Sequence, residues 1–105
     1  MMTLADVRLM AMALLGTTES PHFRYTSFRV RGRIYATAPQ EGGTLHVFVD
    51  EPDRDRMVAM QPGTYEKLRW GRKVLGLRVD LDKARPADVC ALLRTAWQRK
   101  LPRRA

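Results

Sequence analysis

The chain has 105 residues, enough for one hydrophobic core and too few for two that stand alone. Apolar residues make up 45% and charged residues 29%, which excludes a disordered chain, and a single cysteine, Cys90, excludes an internal disulfide. The net charge of +8, with fifteen arginines among nineteen basic residues, admits a polyanionic partner or an arginine-biased, solvated surface.

Residues 1–105 read as a single domain whose segment 99–105 is a basic tail. Met1, Thr3 and Asp6 stand where a signal peptide would carry Lys or Arg, and Leu9–Leu15 is too short to span a bilayer. The expectation is a cytoplasmic, monomeric protein without membrane contact.

Thr3 reads as a helix N-cap, with Asp6 three residues on to pair back and favour the helix dipole. Leu4, Val7, Ala11, Leu14 and Leu15 recur at helical spacing, and Gly16 ends the helix. A strand-rich region follows from Phe23 to Val49. Ser27–Val30 runs into Arg31–Ala36 through a turn at Arg31-Gly32. A three-residue loop, Val30–Gly32, sets Arg29 opposite Arg33 and Phe28 opposite Ile34. Phe28, Ile34 and Ala36 then face inward, and Ser27, Arg29, Arg33 and Tyr35 outward. A two-residue turn puts Arg33 on the face of Phe28 and Val30, so the bulged hairpin is preferred.

Gln40–Gly43 is a polar turn before a third strand, Thr44–Val49, with Leu45, Val47 and Val49 inward. A short helix runs from about Pro52 to Met60, with Asp50 or Glu51 as its cap. Lys73–Leu81 alternates as a strand with Leu75, Leu77, Val79 and Leu81 on one face. The last helix starts near Pro86 and carries Val89, Leu92, Leu93, Ala96 and Trp97 as its apolar stripe. The fold class is therefore α+β: an antiparallel sheet, one face wet, flanked by N- and C-terminal helices.

Charges fall in blocks. Pro21–Gln40 holds four arginines (Arg24, Arg29, Arg31, Arg33) and no acid; Lys67–Val79 holds Lys67, Arg69, Arg72, Lys73 and Arg78, again without an acid. Arg94, Arg99, Lys100, Arg103 and Arg104 follow Asp88 without an acid, whereas Glu41–Glu66 holds six acids against Arg54 and Arg56. Arginines on strands with apolar inner faces point to the open face or sit in turns. Tyr35 on that face and Trp70 beside the second block suit phosphate contact with base stacking.

Other constellations carry less. His22 reads as a loop residue and His46 as an exposed strand residue, neither with a Cys or carboxylate at metal-ligand spacing. Asp50, Glu51, Asp53 and Asp55 lack a calcium-loop pattern and complement a helix N-terminus. Gly42-Gly43 and Arg31-Gly32-Arg33 are turns, not phosphate loops. Cys90 reads as a core residue. No catalytic, cofactor or metal-binding residue is assigned.

Thr3-Leu4-Ala5-Asp6-Val7-Arg8, then Ser27-Phe28-Arg29-Val30-Arg31-Gly32-Arg33-Ile34-Tyr35-Ala36, Val47-Phe48-Val49-Asp50, Leu77-Arg78-Val79-Asp80-Leu81 and the ending Ala96-Trp97-Gln98-Arg99-Lys100-Leu101-Pro102-Arg103-Arg104 together resemble the MmcQ/YjbR family, in order and over almost the full length. The resemblance implies a double-wing α/β sandwich, similar in layout to frataxin-like proteins, and a DNA-binding label that rests on structural analogy. Many members place a Trp inside the last strand; here Trp70 precedes the Arg72-Lys73 turn. Frataxin-like iron binding uses acidic surface and is not carried over to this basic chain.

The expected function is a small non-enzymatic module that binds nucleic acid through the open sheet face, largely independently of sequence. Arg29, Arg31 and Arg33 contact phosphates; Arg72, Lys73, Arg78 and the tail residues Arg103 and Arg104 extend the patch; Tyr35 offers a stacking surface. The alternative is a module for an acidic protein or small anion. An enzyme would require a deep pocket holding His22 or His46 beside a carboxylate.

Overall fold

A computed structural model describes residues 1–102. Helix α1 (Leu4–Met12) begins at a capping box: the Asp6 N–H donates to Thr3 Oγ1 at 3.2 Å and the Thr3 N–H donates to the Asp6 carboxylate at 2.9 Å. Val7 and Ala11 turn inward, as does Leu14 just beyond the helix. Gly16, at φ +78°, reverses the chain into β1 (Thr17–His22). This strand is absent from the sequence reading. Thr-Thr-Glu-Ser-Pro-His carries no apolar alternation, and Pro21 argues against a central strand. β1 is an edge strand, where a missing N–H is tolerated.

β2 (Tyr25–Val30) and β3 (Arg33–Pro39) form the expected hairpin in a different register. The turn has two residues, Arg31 at φ +54° and Gly32 at φ +77°, so Val30 faces Arg33 and Arg29 faces Ile34. A bulge between Phe28 and Arg29 then restores Phe28 opposite Ala36, leaving Tyr35 as the extra residue. Three expectations are corrected together. Arg29 does not oppose Arg33, Phe28 does not oppose Ile34, and Tyr35 is buried rather than outward. Both turn positions adopt left-handed backbone, which matches strand twist better than a loop that splays the strands. The bulge absorbs the phase shift that the three-residue loop was meant to supply.

β4 (Thr44–Val47) leads into α2 (Glu51–Met60), with Asp50 at the N-cap and Pro52 in the first turn. A hairpin follows where one strand was expected: β5 (Tyr65–Trp70) turns through Gly71-Arg72 into β6 (Lys73–Asp80). Charge in Glu66, Lys67 and Arg69 hides the alternation of β5. α3 (Pro86–Lys100) closes the chain with Pro86 in its first turn.

The six strands lie in the order β1-β2-β3-β4-β6-β5, each pair antiparallel. α3 crosses β2, β3 and β4, α1 packs on α3 and β1, and α2 packs on β5 and β6. Between them lies one core: Phe28, Leu45, Val47, Leu77, Val79 and Leu81 meet Val89, Leu92, Leu93 and Ala96. Cys90 is exposed rather than in the core, because one helical step of about 100° rotates it off the stripe begun by Val89. A Cβ at Gly76 would clash with the Val47 carbonyl oxygen, so β4 and β6 approach there as only glycine permits.

The segment after β4 is pinned by arginines. Arg54 donates to the Val49 carbonyl at 2.8 Å; Arg99 donates to the Phe48 carbonyl at 2.5 Å and pairs with Asp50 at 2.9 Å. Arg99 and Lys100 thus belong to α3 rather than to a tail. Arg103 and Arg104 lie outside the described residues.

Candidate nucleic-acid interface

Strand alternation sends Leu45, Val47, Leu77 and Val79 to the helices and His46 and Arg78 to the opposite face. That open face is not flat. Sheet twist bends diagonally opposite corners toward the same side. The β1–β2 tip at one corner and the β5–β6 tip at the other therefore flank a groove of about 310 Å³. Thr37, His46, Phe48, Leu68 and Leu75 line its middle, with His22, Phe23 and Tyr25 at one end and Arg69 and Trp70 at the other. Leu75, expected inward, lines this groove because a bulge opposite Leu68/Arg69 breaks the alternation of β6.

Each tip presents an exposed ring among basic groups. Phe23 is 90% exposed and Trp70 is 78% exposed. Phe23 stands edge-on to His22, with ring centroids 4.9 Å apart, and Arg24 is its turn partner. Trp70 pairs across the ladder with Lys73, with Gly71 and Arg72 between them. Among the described residues, Arg24, Arg69, Arg72 and Lys73 have no carboxylate within salt-bridge distance. Deeper in the groove, His46 lies 5.8 Å from the Tyr25 ring and its Nδ1 is 3.5 Å from Thr37 Oγ1. Burial, and then the nearby Arg78 charge, hold the His46 pKa below its ordinary value, so the imidazole is neutral at pH 7. His46 is half-buried rather than exposed.

The basic residues singled out from the sequence gather on this face only in part. Arg29 stands on it at the β2 edge, its Nε–H donating to Ser27 Oγ at 3.1 Å. Arg78 stands on it too, 3.6 Å from the Glu66 carboxylate across the ladder. Arg72 and Lys73 complete the Trp70 tip. Arg31 lies at another corner, beside Leu15, Trp97 and Leu101 on the helix side. Arg33 shares that corner: burial first, then the charges of Arg99 and Arg33, hold the Lys100 pKa below its ordinary value. Tyr35 belongs to the core; its hydroxyl is 3.0 Å from Thr17 Oγ1 and 3.4 Å from the Ala11 carbonyl it donates to. The second basic block is partly neutralised by Arg78–Glu66 and by Lys67–Asp55 at 3.1 Å.

Phe23 and Tyr25 were not among the expected site residues, and Arg69 was expected only as part of a basic block, because the two hairpin tips that β1 and β5 help to form were not foreseen. The signal was present as two short turns, Phe23-Arg24 and Gly71-Arg72, each bracketed by an aromatic residue. Among the described residues no group of three His, Cys, Asp or Glu side chains could hold a metal ion, and no helix is long and apolar enough to cross a membrane.

Fold and site define a class: a small α+β domain with helices over one face of a six-stranded antiparallel sheet and the other face open. Residues 12–99 match the YjbR family, and the chain belongs to that family. The crystal structure of Deinococcus radiodurans protein DR2400, a DUF419 domain, is similar with a TM-score of 0.79 at 23% identity, over 91% of this chain and 76% of that one. That likeness carries the fold. No curated protein matches the chain at a significant level.

Proposed function

We propose that the protein is a non-enzymatic nucleic-acid-binding module that acts through the open sheet face and its two hairpin tips, largely without sequence preference. One observation carries this reading. Two tips from distant parts of the chain flank the same groove, and each bears an exposed ring beside basic side chains that, among the described residues, have no acidic partner. Phosphates need the cations and bases offer faces to the rings, a pairing that an acidic protein surface does not use. Among the described residues, the hydrogen-bond and charge neighbours of His46 are Thr37 and Arg78 rather than a carboxylate, which supports a binding role over acid–base chemistry.

Arg24, Arg69, Arg72 and Lys73 would meet phosphates. If all four do, the logarithm of affinity falls with the logarithm of salt at a slope of about −3 for a single strand. Fluorescence anisotropy of a labelled oligonucleotide over a salt series measures this. Joint alanine substitution of Arg72 and Lys73 lowers the slope by about 1.4. Salt-independent binding, or displacement of the oligonucleotide by polyglutamate at equal charge concentration, overturns the reading in favour of an acidic partner.

A further inference from the structure

Phe23 occupies a position that its residue type should avoid. It is the first turn residue of the β1–β2 hairpin, at φ +58°, where glycine or asparagine is preferred and a bulky side chain is strained. Its ring is also 90% exposed, so burial does not offset the strain. The edge contact with His22 covers little of the ring. Strain that no contact within the chain relieves is characteristic of residues held for a ligand. Trp70 repeats the pattern at the other tip: a large exposed ring beside a two-residue turn, facing the same groove.

What such rings recognise is limited by what lies between them. In a duplex each base face is covered by its neighbours, and an aromatic ring at a hairpin tip meets only edges and backbone. An unpaired base offers its face. Among the described residues, no helix side chain lines the groove, so no helix is presented there to a major groove. The middle of the groove is apolar, from Phe48, Leu68 and Leu75, with one polar spot where His46 and Thr37 meet. A flat heterocycle with a polar edge matches that surface.

We infer that the ligand of this groove is an unpaired strand: a base of single-stranded nucleic acid lies over His46 between the rings of Phe23 and Trp70, while its phosphates run along the basic tips. The inference rests on the nucleic-acid reading above and narrows it to single strands. The rings supply stacking and Arg72 and Lys73 supply charge, so the two contributions separate by mutation.

The test compares labelled oligothymidylate with a mixed-sequence duplex of equal length, by anisotropy at fixed low salt, for the wild type, Trp70→Ala, Phe23→Asn and the Arg72→Ala/Lys73→Ala double variant. The expected result is tighter binding of the single strand. Trp70→Ala and Phe23→Asn each weaken it about ten- to a hundredfold and leave residual duplex binding unchanged. The double variant weakens both polymers. Phe23→Asn also melts at a higher temperature than the wild type, which separates a loss of contact from a loss of fold. Duplex binding as tight as single-strand binding, or ring variants that bind oligothymidylate like the wild type, overturns the inference and leaves the broader reading standing. Failure of both polymers to bind overturns both.

Discussion

Replacing Tyr35 by phenylalanine separates a core role from a ligand role at one position. The Tyr35 ring has 0% of its surface exposed, and its hydroxyl is 3.0 Å from Thr17 Oγ1 on β1. Phenylalanine keeps the ring and deletes one buried hydrogen bond, with a longer second one to Ala11 at 3.4 Å. A net hydrogen bond is worth about 0.5–1.5 kcal/mol, and the half-orphaned Thr17 hydroxyl, itself buried, adds to the loss; about 1–2 kcal/mol is expected. For a domain of this size that lowers the melting temperature by about 5–10 °C. Tyr35→Ala removes the ring as well and should cost about 3–5 kcal/mol, a large share of the stability of an ordinary domain. Urea titration followed by circular dichroism measures the stability, and anisotropy on the folded variant measures binding. The Tyr35→Phe protein should be less stable, with unchanged affinity for oligothymidylate. Unaltered stability with lost affinity would show that the hydroxyl faces ligand and that the register derived for β2 and β3 is wrong.

Arg31→Asn should stabilise the fold by about 1 kcal/mol, read as a higher urea midpoint, because asparagine adopts the left-handed backbone of Arg31 at φ +54° with less strain. The same change calibrates the strain assigned to Phe23. Gly76→Ala should cost about 3 kcal/mol or more and depress soluble yield, since its methyl group would meet the Val47 carbonyl oxygen, a backbone atom that cannot retreat. His46 resists protonation in the fold, whereas the unfolded chain takes up that proton near its ordinary value of about 6.5. Its contribution to stability is therefore complete at neutral pH, falls as pH drops through about 6.5, and levels off below the folded-state pKa. The difference in urea midpoint between the wild type and His46→Gln should follow that course, and a difference that does not vary with pH would contradict it.

The sequence made legible whatever rests on strong local chemistry. The Thr3–Asp6 capping box, Pro86 opening α3, and the inward Leu45/Val47 and Leu77/Val79 rows all appear in the fold. β1 and β5 were not legible because edge strands need no apolar alternation: Thr18, Glu66 and Arg69 are solvated, and only pairing to β2 and β6 makes their segments strands. The bulge at Phe28/Arg29 was illegible for another reason. Two adjacent residues, Tyr35 and Ala36, are both fully buried, and local alternation has no term for that. The candidate site suffered most. Its basic blocks were visible, but the twist that sends Arg31 and Arg33 to the helix side and gathers Phe23, Arg69 and Trp70 on one groove is a property of the whole sheet.

Under the proposed function, binding lies at the tips around the groove rather than in net charge. Two double variants with the same charge change test it most directly: Arg72→Glu/Lys73→Glu at the tip, and Arg31→Glu/Arg33→Glu at the helix-side corner. Arg31 lines a different cavity from the groove, and the second variant therefore controls for the overall charge change. The measurement is the oligothymidylate affinity of both at near-physiological salt. The tip variant should lose binding while the corner variant stays close to the wild type. Equal losses, or a loss confined to the corner variant, would contradict it.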